Sequence, residues 1–165
     1  MLRPSYLIPG IDGAPDTLWI PVEGDALPDG AVALPEGYWD AHDLEVARAN
    51  KRHLINAKKV AVEEAGADTP FGRMDSDPDS QRKVTGAFSI AFMATTLGQP
   101  FSESWTMADN SVVVLNGEDM VTAALAVKQH VSTAHAIARA LKDQLEAAAT
   151  LAEIEAVDVD GAPWP

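Results

Sequence analysis

Between Met120 and Ala148 an apolar residue recurs in alternating steps of four and three without a slip. The positions are Met120, Ala124, Val127, Val131, Ala134, Ala138, Leu141, Leu145 and Ala148. This spacing fits one face of an α-helix and not a strand, whose side chains repeat every two residues. Sustained for about four heptads, it also reaches the length at which a coiled coil becomes a serious reading. Alanine at several positions requires close helix approach and gives a weaker seam than Leu and Ile would. Two packings satisfy such a seam. One is a homo-oligomer, with a trimer favoured; the other is antiparallel packing on the chain's own remaining helices.

Those helices can be read upstream. From about Ala41 to Ala65 there is no Pro or Gly, and Leu44, Ala47, Leu54, Ala61 and Ala65 keep rough helical spacing before Gly66 supplies a stop. A polar turn over 68–72 precedes Asp77-Pro78, an aspartate N-cap with proline in the first turn. The second helix runs from there to Leu97, with Val84, Phe88, Ala91 and Thr95 on one face and Ile90, Phe92 and Met93 widening it. Between Glu103 and Leu115 the period changes to two. Ser104–Met107 and Val112–Leu115 are predicted strands about an Asp109-Asn110 turn. Asn116-Gly117-Glu118 opens the long helix, and the capping-box pattern Thr150-Leu151-Ala152-Glu153 opens a short last one.

Residues 1–40 differ in character. They are rich in Pro and Gly and broken into short apolar runs, Tyr6–Ile8, Leu18–Val22 and Ala31–Leu34, which read as short strands or an extended arm. The expected organisation is therefore mainly α with a small β hairpin. An irregular or β attachment segment, 1–40, precedes a three-helix domain, 41–165, whose longest helix is heptad-patterned.

Composition removes several function classes. A net charge of −13 opposes nucleic acid and anionic membrane surfaces, both of which draw on Lys and Arg. It suits basic partners. With no cysteine there is no disulfide, thiolate nucleophile or cysteine metal site. No apolar run is long enough to span a bilayer. Pro9, Gly10 and Asp12 interrupt any signal-peptide core, so synthesis in the cytoplasm is expected.

The search for chemistry yields little. Asp75, Asp77 and Asp79 alternate as in a calcium loop, but loop position six is Ser80 and position twelve is Gly86, where glycine and glutamate belong. The bland reading is a polar turn with acidic residues facing a helix N-terminus. His130 and His135 lie five apart, about 140° around a helix, and do not share a metal-binding face. The expectation for such histidines is an exposed helix surface. No phosphate loop or nucleophile elbow is present. No catalytic residue, metal or cofactor is assigned, and the chain reads as a non-enzyme. Trp19, Trp39 and Trp164 are candidate partner anchors.

From Leu44 onward the chain resembles a phage tail-associated domain family of unknown function, often encoded beside tail-fibre and tail-tip proteins. The resemblance rests on the helix around Lys51–Glu64, on Arg73–Gln81 and on Gly86-Ala87. It continues in the Trp105–Ser111 hairpin, Leu141-Lys142, and the ending Ile154–Pro165. What it implies is a tail context without an attached activity. The leading expectation is a structural component of a phage tail (tip, baseplate or fibre base), contacting other tail proteins. An assembly chaperone absent from the finished virion is the alternative, and a small ion- or carbohydrate-binding module is a third reading.

Overall fold

The computed structural model describes residues 3–10, 15–20 and 26–165. It is mainly α with small antiparallel strand pairs, and it divides into two units, Met1–Glu45 and Val46–Pro165. The division falls inside the first helix, a little beyond the boundary expected at residue 40.

In the first unit, β1 (Tyr6–Ile8) is flanked by β2 (Thr17–Trp19) and β3 (Val32–Ala33), both antiparallel to it. Pro21 and Val22 of the second predicted run lie outside the described residues. Gly37, at φ +77°, closes a turn in which Tyr38 N–H reaches Pro35 O, and α1 (Tyr38–Glu64) starts there, three residues earlier than Ala41. The helix start is tied to the first strand by Trp39 Nε1, which donates to Pro4 O at 2.8 Å. Arg3 lies over the Trp39 ring and pairs with Asp43 at 2.7 Å.

The second unit holds the rest of α1, the hairpin β4–β5 (Ala67–Thr69 and Gly72–Met74), α2 (Pro78–Thr96), the hairpin β6–β7 (Ser102–Thr106 and Val112–Asn116), α3 (Gly117–Ala147) and α4 (Leu151–Ala156). The first hairpin replaces the turn expected over 68–72. Its Thr69 and Gly72 pair across a two-residue Pro70-Phe71 loop, and Gly72 leaves the loop at φ +125°, a conformation that glycine adopts freely. The N-cap of α2 is Asp77, whose carboxylate accepts from Asp79 N and Ser80 N. Asn116 and Thr150 form capping boxes at the starts of α3 and α4.

The long α3 has two different environments along its length. Its N-terminal half, with Met120, Ala123 and Val127, packs on Val84, Ala87 and Ala91 of α2 and on Ala67, Met74, Met107 and Leu115 of the hairpins. Its C-terminal half runs antiparallel to α1, with Val62 near His130 and Arg52 paired to Glu146. Seven of the eight principal seam residues are buried inside this one chain (Met120, Val127, Val131, Ala134, Ala138, Leu141 and Leu145), and Ala124 packs half-buried beside them. Within the chain these positions pack on its own elements, which is the second of the two packings that the spacing allows.

Two predicted faces differ from the structure. In α1 the buried residue is Ile55, whereas Leu54, Ala61 and Ala65 are exposed. The inward face is instead Arg48, Lys51, Ile55, Lys58 and Val62, at helical spacing, with long cationic side chains whose stems pack and whose tips reach polar groups. In α2, Ile90, Phe92 and Met93 do not join the core; each is more than half exposed.

The cations of α1 have a common task. None of the four helices carries a basic residue in its own last turn, so the carbonyls there lack a local charge partner. Arg48 donates to Ala148 O at 2.9 Å, at the end of α3. Lys51 donates to Glu155 O and Val157 O, both at 3.1 Å, at the end of α4. The end of α1 is closed in turn by Arg73, which donates to Ala65 O and Gly66 O. The C-terminal segment follows the same pattern: Lys58 pairs with Asp160 at 3.0 Å, and Trp164 Nε1 donates to Val159 O. The ends of α1, α3 and α4 are thus capped by cations from outside each helix.

Candidate functional site

Three of the segments that carry the family resemblance, Lys51–Glu64, Arg73–Gln81 and Trp105–Ser111, meet where α1 ends, α2 begins and β6–β7 turns. Ser76 is fully buried; its hydroxyl donates to Glu63 O at 2.6 Å and accepts from Gly66 N at 3.0 Å. Gln81 Nε2 donates to Ser76 O at 2.7 Å, and Asp79 pairs with Arg82. Ala108 N donates to Arg73 O, which joins the two hairpins. In the β6–β7 turn, Asn110 takes the left-handed conformation at φ 65°, and Asp109 accepts from Ser111 N at 2.9 Å. The Ser80 hydroxyl, then the backbone N–H groups, hold the Asp77 carboxyl below the ordinary aspartate range. Asp109 is lowered in the same way, first by the Ser111 side chain. These residues therefore build corners. Asp77 and Asp79, two members of the calcium-like triplet, are engaged by helix N–H groups and by Arg82, and no metal-holding cluster of three side chains occurs among the described residues.

The histidines are dispersed. His42 stacks on Tyr38, and His53 is exposed. His130, expected on an exposed face, is buried, with Nε2 2.8 Å from Val62 O. His135 Nε2 lies 2.7 Å from Glu63 Oε1, an ion pair when the imidazole is protonated. Sequence spacing could not reveal this arrangement, because it depends on how α1 crosses α3. The three tryptophans proposed as anchors are engaged within the chain: Trp19 meets Tyr6 edge-on at 6.0 Å, and Trp39 and Trp164 donate to backbone carbonyls.

The second unit leaves two grooves open, one of them apolar. A shallow groove of about 290 Å³ runs between α2 and α3, with Val84, Phe88, Ala124, Leu125 and Val131 along it and Gln81 and Lys128 at its rim. Phe92 extends the groove by stacking on Phe88 at 5.9 Å. Leu125 is 62% exposed and Phe92 58%, although both sit on well-formed helices. Their exposure follows from geometry: the buried faces of α2 and α3 are narrow, and these residues flank them. A second groove, of about 510 Å³, lies between α2 and β6–β7, with Asp75, Lys83, Ile90, Glu103, Trp105 and Asn110 among its walls. Among the described residues no helix is long and apolar enough to cross a membrane.

Taken together these features define a helical, hairpin-braced domain whose polar motifs are structural and which leaves an apolar groove open between α2 and α3. The chain belongs to the family of the domain of unknown function DUF4376, whose model matches residues 46–160. That match begins at the residue where the second unit begins. No curated protein and no solved structure matches the chain.

Proposed function

We propose that this chain is a structural component of a phage tail, present in the particle and acting through protein–protein contacts. The tail context rests on the resemblance of the Lys51–Glu64, Arg73–Gln81 and Trp105–Ser111 segments. The contact role rests on one observation, the uncovered apolar face formed by Phe88, Phe92 and Leu125. An apolar patch rimmed by polar residues, with side chains of this size, marks an interaction surface on a soluble domain.

Charge supports the same reading. The net charge of −13 leaves an acidic excess that opposes nucleic acid. A non-enzymatic role is supported by how the perturbed carboxylates are used: Asp77, Asp109 and Glu153 are lowered by bonds that cap helices or a turn.

The test is incorporation of Phe92→Asp and Leu125→Asp chains into particles. Both positions are exposed, so folding stability should stay within roughly 0.5 kcal/mol of the parent. The reading expects these variants to fold and to be depleted from particles. Normal incorporation of both would remove this face as the contact.

A further inference from the structure

The N-terminal sheet has two unlike faces. Residues paired directly across antiparallel strands project to the same side. Leu7 pairs with Leu18 on one flank and Val32 on the other, so these three share a face; Tyr6, Trp19 and Ala33 share the opposite one. On the second face the Tyr6 and Trp19 rings cover each other. On the first, Leu18 is 41% and Val32 57% exposed. A sheet whose strands are two or three residues long buries little by itself, and an apolar face left open on it asks for a cover.

Charge selects the cover. Residues 1–45 contain nine Asp and Glu against a single basic residue, Arg3. Arg3 is itself paired with Asp43 and lies over Trp39. The unit is therefore more acidic than its share of the chain. A second copy would bring two strongly anionic units together, which costs free energy. Nucleic acid and anionic lipid are repelled for the same reason.

We propose that the Leu7–Leu18–Val32 face docks on another protein, onto an apolar patch ringed by Lys and Arg. This rests on the contact role proposed above and names the partner surface for the N-terminal unit. Apolar burial supplies the affinity at the centre, and the acidic excess of the unit supplies orientation and rate of encounter.

The test is zero-length carbodiimide cross-linking of the 165-residue chain, in producing cells and in purified particles, with the linked peptides sequenced. The reagent joins carboxylates to lysine amines in direct contact. Expected are links from Asp16, Asp29 or Glu36 to lysines of one other protein. Their yield should fall roughly tenfold or more in a Leu18→Ser, Val32→Ser chain, from loss of the apolar contact. Both positions are exposed in the sheet, and circular dichroism checks that the variant keeps its helices. Links solely to other copies of this chain would overturn the proposal. So would intermolecular links confined to residues 46–165, no links from the acidic residues, or a yield indifferent to the double substitution. A particle-bound chain linked only through residues 46–165 sinks this inference and leaves the tail reading standing. N-terminal links in cells to a protein of a particle that lacks this chain do the reverse.

Discussion

Arg48 on α1 donates to the carbonyl of Ala148, at the end of α3, at 2.9 Å. One turn later Lys51 does the same for the end of α4 through Glu155 O and Val157 O. Cations a hundred residues away in sequence thus stand where each helix would ordinarily place its own last-turn base. This arrangement makes the α1 stripe a stability element, and it can be tested apart from packing. Lys51→Met keeps the aliphatic stem and removes the charge. The substitution should cost about 1–2 kcal/mol in a urea melt at low salt, less at high salt. A variant as stable as the parent would show that the cation contributes nothing at the end of α4.

Two glycines should respond in opposite directions. Gly66 sits at φ +95°, and a Cβ there would lie 2.8 Å from Arg73 Nε, displacing the side chain that closes α1. Gly66→Ala should therefore lower stability by roughly 1–3 kcal/mol. Gly86 is exposed within α2 and has open space around it. Gly86→Ala should raise stability by about 0.5–1 kcal/mol. Equal effects from the two substitutions would contradict the role given to the Gly66 corner.

Acid should weaken the fold through its caps. The carboxyls of Asp77, Asp109 and Glu153 are lowered in the folded chain from ordinary values of 3.8, 3.8 and 4.5. The folded state therefore binds these protons less readily than the unfolded state. Their stabilisation is complete above the ordinary carboxylate range and is lost as pH falls through the lowered folded values. Asp77→Asn keeps a capping oxygen without a titrating proton, so its melting temperature should vary less over that acid range than the parent's. Parallel curves for the two chains would show that Asp77 is not part of the acid response.

Leu145 is fully buried at the end of the seam. Leu145→Ala should lose about 2–5 kcal/mol, and the loss should be independent of protein concentration, because the residue packs within one chain. A penalty that shrinks as concentration rises would mean that the seam is formed between subunits.

Much of the fold was legible because it depends on local chemistry. Asp77-Pro78, Asn116 and Thr150 mark their helix starts by side-chain oxygens placed to accept from N–H groups, and all three lie at N-caps in the structure. The β6–β7 hairpin extends one residue at each end beyond the predicted span of 103–115. What was not legible depends on pairing across distance. The β4–β5 hairpin is too short and too polar to show a period of two, and its strands are held by Thr69, Gly72 and the Arg73 bond to Ala108. The inward face of α1 was misplaced because Arg48, Lys51 and Lys58 read as solvent-facing until their acceptors are known. The groove at Phe88 and Leu125 was hidden for the opposite reason: apolar residues beside a core stripe read as core.

The proposed role makes this chain a built-in part of a tail. Quantitative mass spectrometry of purified particles, with the lysate measured beside them, tests it most directly. A structural tail protein should be recovered at a fixed ratio to the tail proteins and retained through repeated purification. A chain abundant in lysate and bound to fibre protein, yet missing from the particles, would contradict it and make an assembly chaperone the correct description.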